Sequence, residues 1–317
     1  MRRLIGKRVL QFIPVLFGVS FLAFLLLNIE PGDTAQQILG ENATPQALAL
    51  LRKQLHLNEP MLQRYFNWLG GLLHGHLGTS LITNQPVAKV IEQRLPVTEE
   101  VIILALLIAI VFAIPLATIA AFKMEGGFDR VIRWVSMLGI ATPGFVLGIV
   151  LILIFTVKLH WFPSTGFVPL SQGLWANLRT MILPAVTLSA LLFGTYTRVL
   201  RADMAEQLIN EDYVQTARAK GVSEARILIR HVLRNSLFGL VTVIGVNMGT
   251  LIAGTVIVES IFALPGLGQD LVSSVTNRDV TVVQGMVVLI GVVVVLSNLV
   301  ADVLYTVIDP RVRHGRV

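Results

Sequence analysis

Apolar blocks of about 20 residues or more recur along this chain, running roughly from Val9 to Ile29, Val101 to Phe122, Val131 to Val157, Thr180 to Leu200, Leu237 to Val258 and Val280 to Ile308. A helix of about 20 residues is as long as the hydrocarbon layer of a bilayer is thick. The blocks therefore predict six transmembrane helices and an all-α integral membrane protein. Composition agrees: 54% of the 317 residues are hydrophobic, 14% are charged and the mean hydropathy is +0.75.

Charge gives the orientation. Arg2, Arg3, Lys7 and Arg8 precede the first block as in a signal peptide, but the apolar stretch is too long for one and no small-x-small site follows. The block reads as a retained signal anchor. Lys123, Arg130 and Arg133, the loop with Arg198, Arg201, Arg218, Lys220, Arg226, Arg230 and Arg234, and the tail with Arg311, Arg313 and Arg316 all fall on one side of six spans. The positive-inside rule makes that side, with both termini, cytoplasmic. Between Glu30 and Glu100 five basic residues (Arg52, Lys53, Arg64, Lys89 and Arg94) are outnumbered by Glu30, Asp33, Glu41, Glu59, Glu92, Glu99 and Glu100, as on the outer face. The expected organisation is a cytoplasmic N-terminus over 1–8, a first span over 9–29 and an extracytoplasmic insertion over 30–100. A five-helix core over 101–308 follows, carrying a cytoplasmic loop over 201–236, and the tail is 309–317. Thr44 followed by Pro45 is an N-cap and N1 pair for a short helix ending near Leu57, and Pro60 to Leu73 reads as an amphipathic helix with Tyr65 and Trp68. The insertion is therefore a small helical cap.

Several chemistries lack their residues. The chain has no cysteine, which removes disulfides and thiolate sites. Its net charge of +6 and pI near 10.0 reflect lysine and arginine on one membrane side rather than a nucleic-acid partner. There is no G-x-x-x-x-G-K-[ST] loop to cradle nucleotide phosphates, and no H-E-x-x-H or G-x-S-x-G on a suitable element, so the chain reads as a non-enzyme without a catalytic residue. His74 and His76 form an H-G-H triplet to which no metal is assigned, and no cofactor is expected. Ion-coupled carriers keep titratable groups inside their spans, whereas here only Asp302 and Glu259 lie in or at the ends of the last two blocks, and both read as structural. A secondary transporter or channel is the remoter alternative.

The informative stretch is the charged loop from Asn210 to Ser236. Asn210 can cap a helix whose first turn carries Glu211 and Asp212 at the positive end of the helix dipole, with Arg218 and Lys220 near the negative end. Gly221 stands where a C′ glycine ends a helix. A second helix begins by Ser223, and Arg226, Arg230 and Arg234 recur every four residues beside Ile227, Leu228, Val232 and Leu233. One reading is a solvated basic loop against anionic lipid. The other is a short rigid helix that docks a cytoplasmic partner and passes motion to the spans.

The loop resembles that of binding-protein-dependent ABC importer permeases, whose general pattern is Glu-Ala-Ala, three residues, Gly, nine residues and Ile-x-Leu-Pro. Gln215, Thr216, Ala217 and Gly221 occupy the first part, and His231, Leu233 and Arg234 the second, without the proline. These departures are similar to the dipeptide and oligopeptide branch, with its E-D-Y-x-x-T-A-R-A-K-G and H-x-L-R-N forms. The resemblance extends to Pro31-Gly32-Asp33, Leu77-Gly78-Thr79-Ser80, Ile182-Leu183-Pro184, Phe262 with Pro265-Gly266-Leu267-Gly268, and Asp309-Pro310-Arg311. His76 departs from it, standing where an aspartate is usual.

The resemblance implies a type I ABC importer permease fold in a bacterial cytoplasmic (inner) membrane. It also implies a homologous second permease, two cytoplasmic ATPases that bind ATP and Mg, and an extracytoplasmic substrate-binding protein as partners. Short peptides are the implied cargo, with nickel, glutathione or a metallophore complex as alternatives. The helix from Glu211 to Lys220, including Tyr213, Gln215, Thr216, Ala217 and Arg218 and closed by Gly221, would be the coupling helix, while substrate-binding residues stay unknown. The prolines Pro115, Pro143 and Pro184 and the glycines Gly139, Gly144, Gly148, Gly245, Gly249 and Gly254 are expected to mark kinks or close packing around the pathway. A bulky residue at Ala217 or Gly221 is expected to uncouple transport without unfolding the spans; normal substrate uptake in such a variant removes the docking assignment.

Overall fold

A computed structural model of the chain describes residues 2–28, 36, 43–54 and 58–308, with the side chains of 2–9, 26–28, 51, 54, 302 and 304–308 excepted. Pro31-Gly32-Asp33, the helix end near Leu57, Asp309-Pro310-Arg311 and the tail arginines lie outside the described residues, as do the side chains of Arg2, Arg3, Lys7, Arg8 and Asp302. The chain divides into two compact units, residues 1–95 with 270–295 and residues 96–269 with 296–317. Apart from an isolated bridge between Thr79 and Pro86, the described elements are helical.

Among the described residues, four helices are long and apolar enough to cross a membrane: α4 (Val87–Phe122), α7 (Leu174–Asn210), the run Glu224–Phe262 that ends in α10 (Leu233–Phe262), and α12 (Val280–Ile308), whose apolar window is Val280–Ala301. The block expected over Val131 to Val157 is not one straight span. α5 (Gly127–Ala141) and α6 (Gly144–Leu151), extended by a π-helical turn over Ile152–Lys158, meet at 105°. Pro143 is the cause, because it has no N–H to donate to the preceding turn and biases Thr142 to extended backbone, observed at φ −81°, ψ 121°. With α1 (Arg2–Asn28), whose apolar stretch is Leu10–Leu25, the bent pair brings the membrane helices to the six the blocks announce. Pro14, Pro96, Pro115 and Pro184 sit inside continuous helices.

In the first unit the insertion contains α2 (Pro45–Gln54) and α3 (Met61–Leu73). The Thr44 hydroxyl accepts from the Ala47 N–H at 3.2 Å, the expected N-cap. Tyr65 of α3 is buried on α1 among Phe17, Phe21 and Phe24, and its hydroxyl lies 2.9 Å from that of Ser20. His74 holds the Gly70 carbonyl at 2.7 Å through its ring Nδ1, which closes the end of α3. The loop after it is tied to the start of α12. Asp279 accepts from the Ser80 hydroxyl at 2.5 Å and the Leu81 N–H at 3.2 Å, and Arg94 lies 3.5 Å from Asp270.

In the second unit, α4 presents Val97, Val101, Ala105, Ala109, Ala113, Ala117 and Ala121 to the core at a strict spacing of four. Such a row is the i±4 ridge by which helices interdigitate, and its small side chains bring backbones close. α7 runs parallel to it, linked by Asn177 to Glu100 at 2.6 Å and by Thr118 to the Met204 sulfur at 4.0 Å. α5 runs antiparallel to α7. A Cβ at Gly139 would stand 2.7 Å from the Ala190 carbonyl oxygen, and one at Gly194 would collide with the Ser136 carbonyl oxygen. At the end of this crossing the buried Asp129 receives a two-pronged contact from Arg201, 2.9 Å and 2.8 Å, with Arg133 at 3.5 Å. Backbone sets the α5–α7 distance, so no rotamer can relieve an added methyl. Gly194→Ala should cost about 1–3 kcal/mol of stability by overpacking, read as a lower thermal unfolding midpoint of the detergent-purified chain; an unchanged midpoint would show the crossing to be looser than described.

Candidate functional site

The loop singled out by its charges folds as two short helices between two long ones. α7 runs on to Asn210, and α8 (Asp212–Ala219) starts after a single extended residue, Glu211, at φ −87°, ψ 127°. Asn210 is therefore helical and does not cap α8. Glu211 holds the N-cap position without a side-chain cap bond, and Asp212 alone supplies the acid of the first turn. The expectation failed because α7 keeps its helical hydrogen bonds one residue beyond the point where asparagine's capping preference was expected to stop it.

The end of α8 follows the sequence. Gly221 has φ +74°, its N–H bonds the Arg218 carbonyl at 2.9 Å and the Val222 N–H bonds that of Ala217 at 3.1 Å. This is the Schellman pair of bonds, and it requires a left-handed residue that glycine adopts without a Cβ penalty. Ser223 precedes α9 (Glu224–Ile227), a π-helical turn follows over Leu228–Val232, and α10 continues. Ile227, Leu228 and Val232 are buried while Arg226, Arg230 and Arg234 are exposed, so the basic stripe forms.

α8 is fixed from three directions. Val214 is fully buried. The Tyr213 hydroxyl donates to Gln207 of α7 at 2.6 Å, and the amide of Gln207 donates to Asp203 at 2.7 Å and to Ser236 of α10 at 2.9 Å. Burial raises the Tyr213 pKa, which keeps that hydroxyl a donor. Arg218 reaches the Leu208 carbonyl at 3.2 Å and grips Glu224 with two bonds of 2.7 Å and 3.1 Å, and the bond to Glu224 holds its pKa above the usual value. Sequence reading missed Gln207 and Glu224. For Glu224 a signal existed, since opposite charges six residues apart meet when a glycine turns the chain between them.

What α8 leaves free is an edge. Glu211, Asp212, Gln215, Thr216, Ala219 and Lys220 are exposed. Ala217 is half-buried against the chain's own core, and Gly221 is exposed with open space where a Cβ would stand. Of the two small residues expected at a partner groove, Ala217 thus packs inward, so a bulky side chain there strains this chain first.

A second concave feature lies at the α5–α6 break, a largely apolar cavity of about 490 Å³ lined by Thr142, Pro143 and Gly144, with α7 and α10 contributing Thr187, Thr250 and Gly254 among others. Above it Glu259 is fully buried and structural. One oxygen accepts from Thr98 at 2.7 Å and the other from the N–H groups of Gly268 at 2.7 Å and Gln269 at 3.1 Å, while Thr98 accepts from the Leu267 N–H at 2.8 Å. The first turn of α11 (Leu267–Thr276) is thereby capped from other helices. A Cβ at Gly266 would collide with the Glu259 carboxylate and one at Gly268 would lie 2.5 Å from Val256, so the glycines of the Pro265-Gly266-Leu267-Gly268 run give the carboxylate room.

Residues 113–314 match the family model described as binding-protein-dependent transport system inner membrane component, and residues 1–105 match the model of the N-terminal part of such membrane components. A Brucella abortus (strain 2308) protein that carries the provisional name peptide transport system permease protein is 42% identical over 314 residues, 99% of this chain and 100% of the relative. The di/tripeptide transport system permease protein DppB of Pseudomonas aeruginosa (strain UCBPP-PA14) is 38% identical over 333 aligned residues, covering 98% of this chain and 99% of the relative. The glutathione transport system permease protein GsiC of Escherichia coli O6:H1 is 38% identical over 308 residues, 97% of this chain and 98% of the relative.

Because Gly221 closes α8 in a left-handed conformation, Gly221→Ala should cost about 1 kcal/mol locally. Hydrogen exchange of the amides in 212–224 should speed up roughly fivefold while the centres of α7 and α10 are unchanged. Unaltered exchange in the loop would mean that Gly221 does not hold the turn.

Proposed function

The chain belongs to the family of inner membrane components of binding-protein-dependent transport systems, and from that premise we propose that it forms half of the pathway of an ATP-driven type I importer for short peptides. A homologous second permease supplies the other half. Two cytoplasmic ATPases bind ATP and Mg and hydrolyse the nucleotide, and an extracytoplasmic binding protein delivers the cargo. This chain neither binds nor hydrolyses ATP. The arginine-rich loop and both termini lie in the cytoplasm, in keeping with the charge bias of Arg198, Arg201, Arg226, Arg230 and Arg234.

The observation that carries the reading is a short helix with one free edge, fastened to two membrane helices. α8 meets an ATPase groove with Glu211, Asp212, Gln215, Thr216 and Lys220, where Asp212 and Glu211 find basic partners. Tyr213 and Arg218 hold the other side to α7 and α9, so closure of the ATPases displaces α8 and the spans together as a rigid body. The pathway passes the α5–α6 break. Irregular backbone at membrane depth is tolerated where protein or a water-filled cavity covers it, and the cavity beside Thr142, Pro143 and Gly144 fits the second case.

The cargo follows the relatives named for di- and tripeptides and for oligopeptides. Glutathione is the second reading, since its named permease is as similar as the di/tripeptide one, at 38% identity each. The test is to purify the tagged chain gently from its native membrane, identify what accompanies it, and assay ATP hydrolysis with binding protein and candidate peptides. A second permease and ATPases should co-purify, and hydrolysis should rise with one loaded binding protein. Thr216→Trp, on the free edge, should abolish that stimulation while leaving the spans folded. A chain that purifies alone and transports a solute without nucleotide would overturn the proposal.

A further inference from the structure

α3 carries an apolar arc that α1 covers only in part. At roughly 100° per residue, Tyr65 and Trp68 share one side of α3, Leu62, Phe66 and Leu73 continue that arc, and Gln63, Asn67 and Arg64 occupy the rest. Tyr65 is 1% exposed, and its ring packs edge-on against Phe17, Phe21 and Phe24 of α1 at centroid distances of 5.6, 5.2 and 5.4 Å. Trp68 lies 5.8 Å from Phe24. The other half of the arc is bare, with Leu62 at 62%, Phe66 at 57% and Leu73 at 79% exposure. Three large apolar residues at one-turn and two-turn spacing on a single stripe would be costly in water.

The register of the contact on α1 says what covers them. The apolar stretch of α1 is Leu10–Leu25, and Ser20, whose hydroxyl meets that of Tyr65 at 2.9 Å, lies inside it. The apolar run of α1 continues in sequence to Leu27, so at a rise of about 1.5 Å per residue Phe24 sits roughly 4–5 Å, Ser20 roughly 10 Å and Phe17 roughly 15 Å short of its end. Amphipathic helices at a bilayer surface seat their apolar face about 5–10 Å below the headgroup boundary, a range that falls between the Phe24 and Ser20 contacts of α3. The lipid-facing character is shared by α1 itself, where Leu10, Ile13 and Leu22 are exposed at 70%, 61% and 55%. Polarity agrees too: Asn67, which donates to Glu59 at 3.2 Å, lies away from Leu62 and Phe66, and Arg64, the one charged residue in α3, sets its guanidinium over the Phe24 ring of α1 at 5.8 Å rather than on the bare arc.

We infer that α3 is an interfacial helix, seated in the leaflet at the C-terminal end of α1, with Leu62, Phe66 and Leu73 among the acyl chains and Gln63 and Asn67 toward water. The inference rests on the multi-pass permease reading above, in whose orientation that leaflet is the outer one. The insertion after the first span is then anchored in lipid, and α3 presents its polar arc outward.

The chain has no cysteine, so single cysteines at Leu62, Gln63, Phe66, Asn67 and Leu73 can each carry a nitroxide label in the assembled transporter, reconstituted in nanodiscs with the thiols of its partners blocked. All five positions are exposed and tolerate a label. Collision with oxygen, which concentrates in lipid, should dominate at 62, 66 and 73, and collision with a water-soluble nickel chelate at 63 and 67, so the logarithm of the ratio changes sign around the helix. Nickel-dominated collision at 62, 66 and 73 would make α3 a solvated cap, and shielding from both reagents would mean that protein covers the stripe; either result overturns the inference. A label at Val111, mid-way along α4, separates this failure from failure of the permease reading, because only a chain that does not span the bilayer would expose it to nickel.

Discussion

Every backbone N–H and C=O at membrane depth has to find a partner within the protein, and the departures from simple helices in this chain are arranged around that requirement. At the α10–α11 corner the chain turns through Ala263–Gly266, and the first N–H groups of α11 would be left bare. Glu259 and Thr98 reach them, so a carboxylate that looks expensive in an apolar helix replaces missing backbone acceptors. At the α5–α6 corner no side chain among the described residues does this. Pro143 is an N-cap without a side-chain acceptor, and the break opens onto a cavity, where water can serve. The contrast separates a corner whose N–H groups are capped by side chains of other helices from one that borders a cavity.

Between these corners the helices hold together without the driving force that soluble cores enjoy, since lipid tails are as apolar as leucine. Close approach takes its place. The alanine row of α4 and the paired Gly139 and Gly194 at the α5–α7 crossing bring backbones to contact distance, where dispersion and weak polar contacts accumulate. At the charged end of that crossing Arg201 grips Asp129. A buried pair of this kind contributes geometry more than net stability, because either charge left alone is heavily penalised. It fixes α5 against α7 on the side from which α8 projects.

Much of this was legible in the sequence because local chemistry decided it. Block lengths announced the spans, Thr44 and Pro45 the start of α2, and Gly221 the Schellman end of α8, each resting on a preference that acts within a few residues. The misses are tertiary. Asn210 was read as a cap because asparagine prefers that role, yet α7 continues through it. The bend at Pro143 was expected only as a kink, whereas the following segment swings through 105°. Asp129 and Gln207 were missed as cross-links between long helices, since the partners that make them so, Arg201 and Ser236, lie 72 and 29 residues away. Ala217 has the size of an interface residue, and only packing shows that it faces inward. The spacing of four in Ala105, Ala109, Ala113, Ala117 and Ala121 was present to be read, but it hides inside a block already explained by apolarity.

The arrangement of α8 follows from the same economy. A docking helix on a flexible loop would absorb the displacement of its partner instead of passing it on. Here one face of an eight-residue helix is spent on Val214, Tyr213 and Arg218, which fasten it to α7, α9 and, through Gln207, α10. The opposite edge keeps small and polar side chains. A helix this short is unstable alone, so its shape depends on the spans that hold it, and a load on its free edge reaches α7 and α10 directly. α7 runs from α8 past Arg201 and Gly194 to the cavity beside the break at Pro143. Under the proposed role of α8, the Arg–Asp grip and the glycine crossing lie between its exposed edge and the cavity, where a compliant element would dissipate the movement.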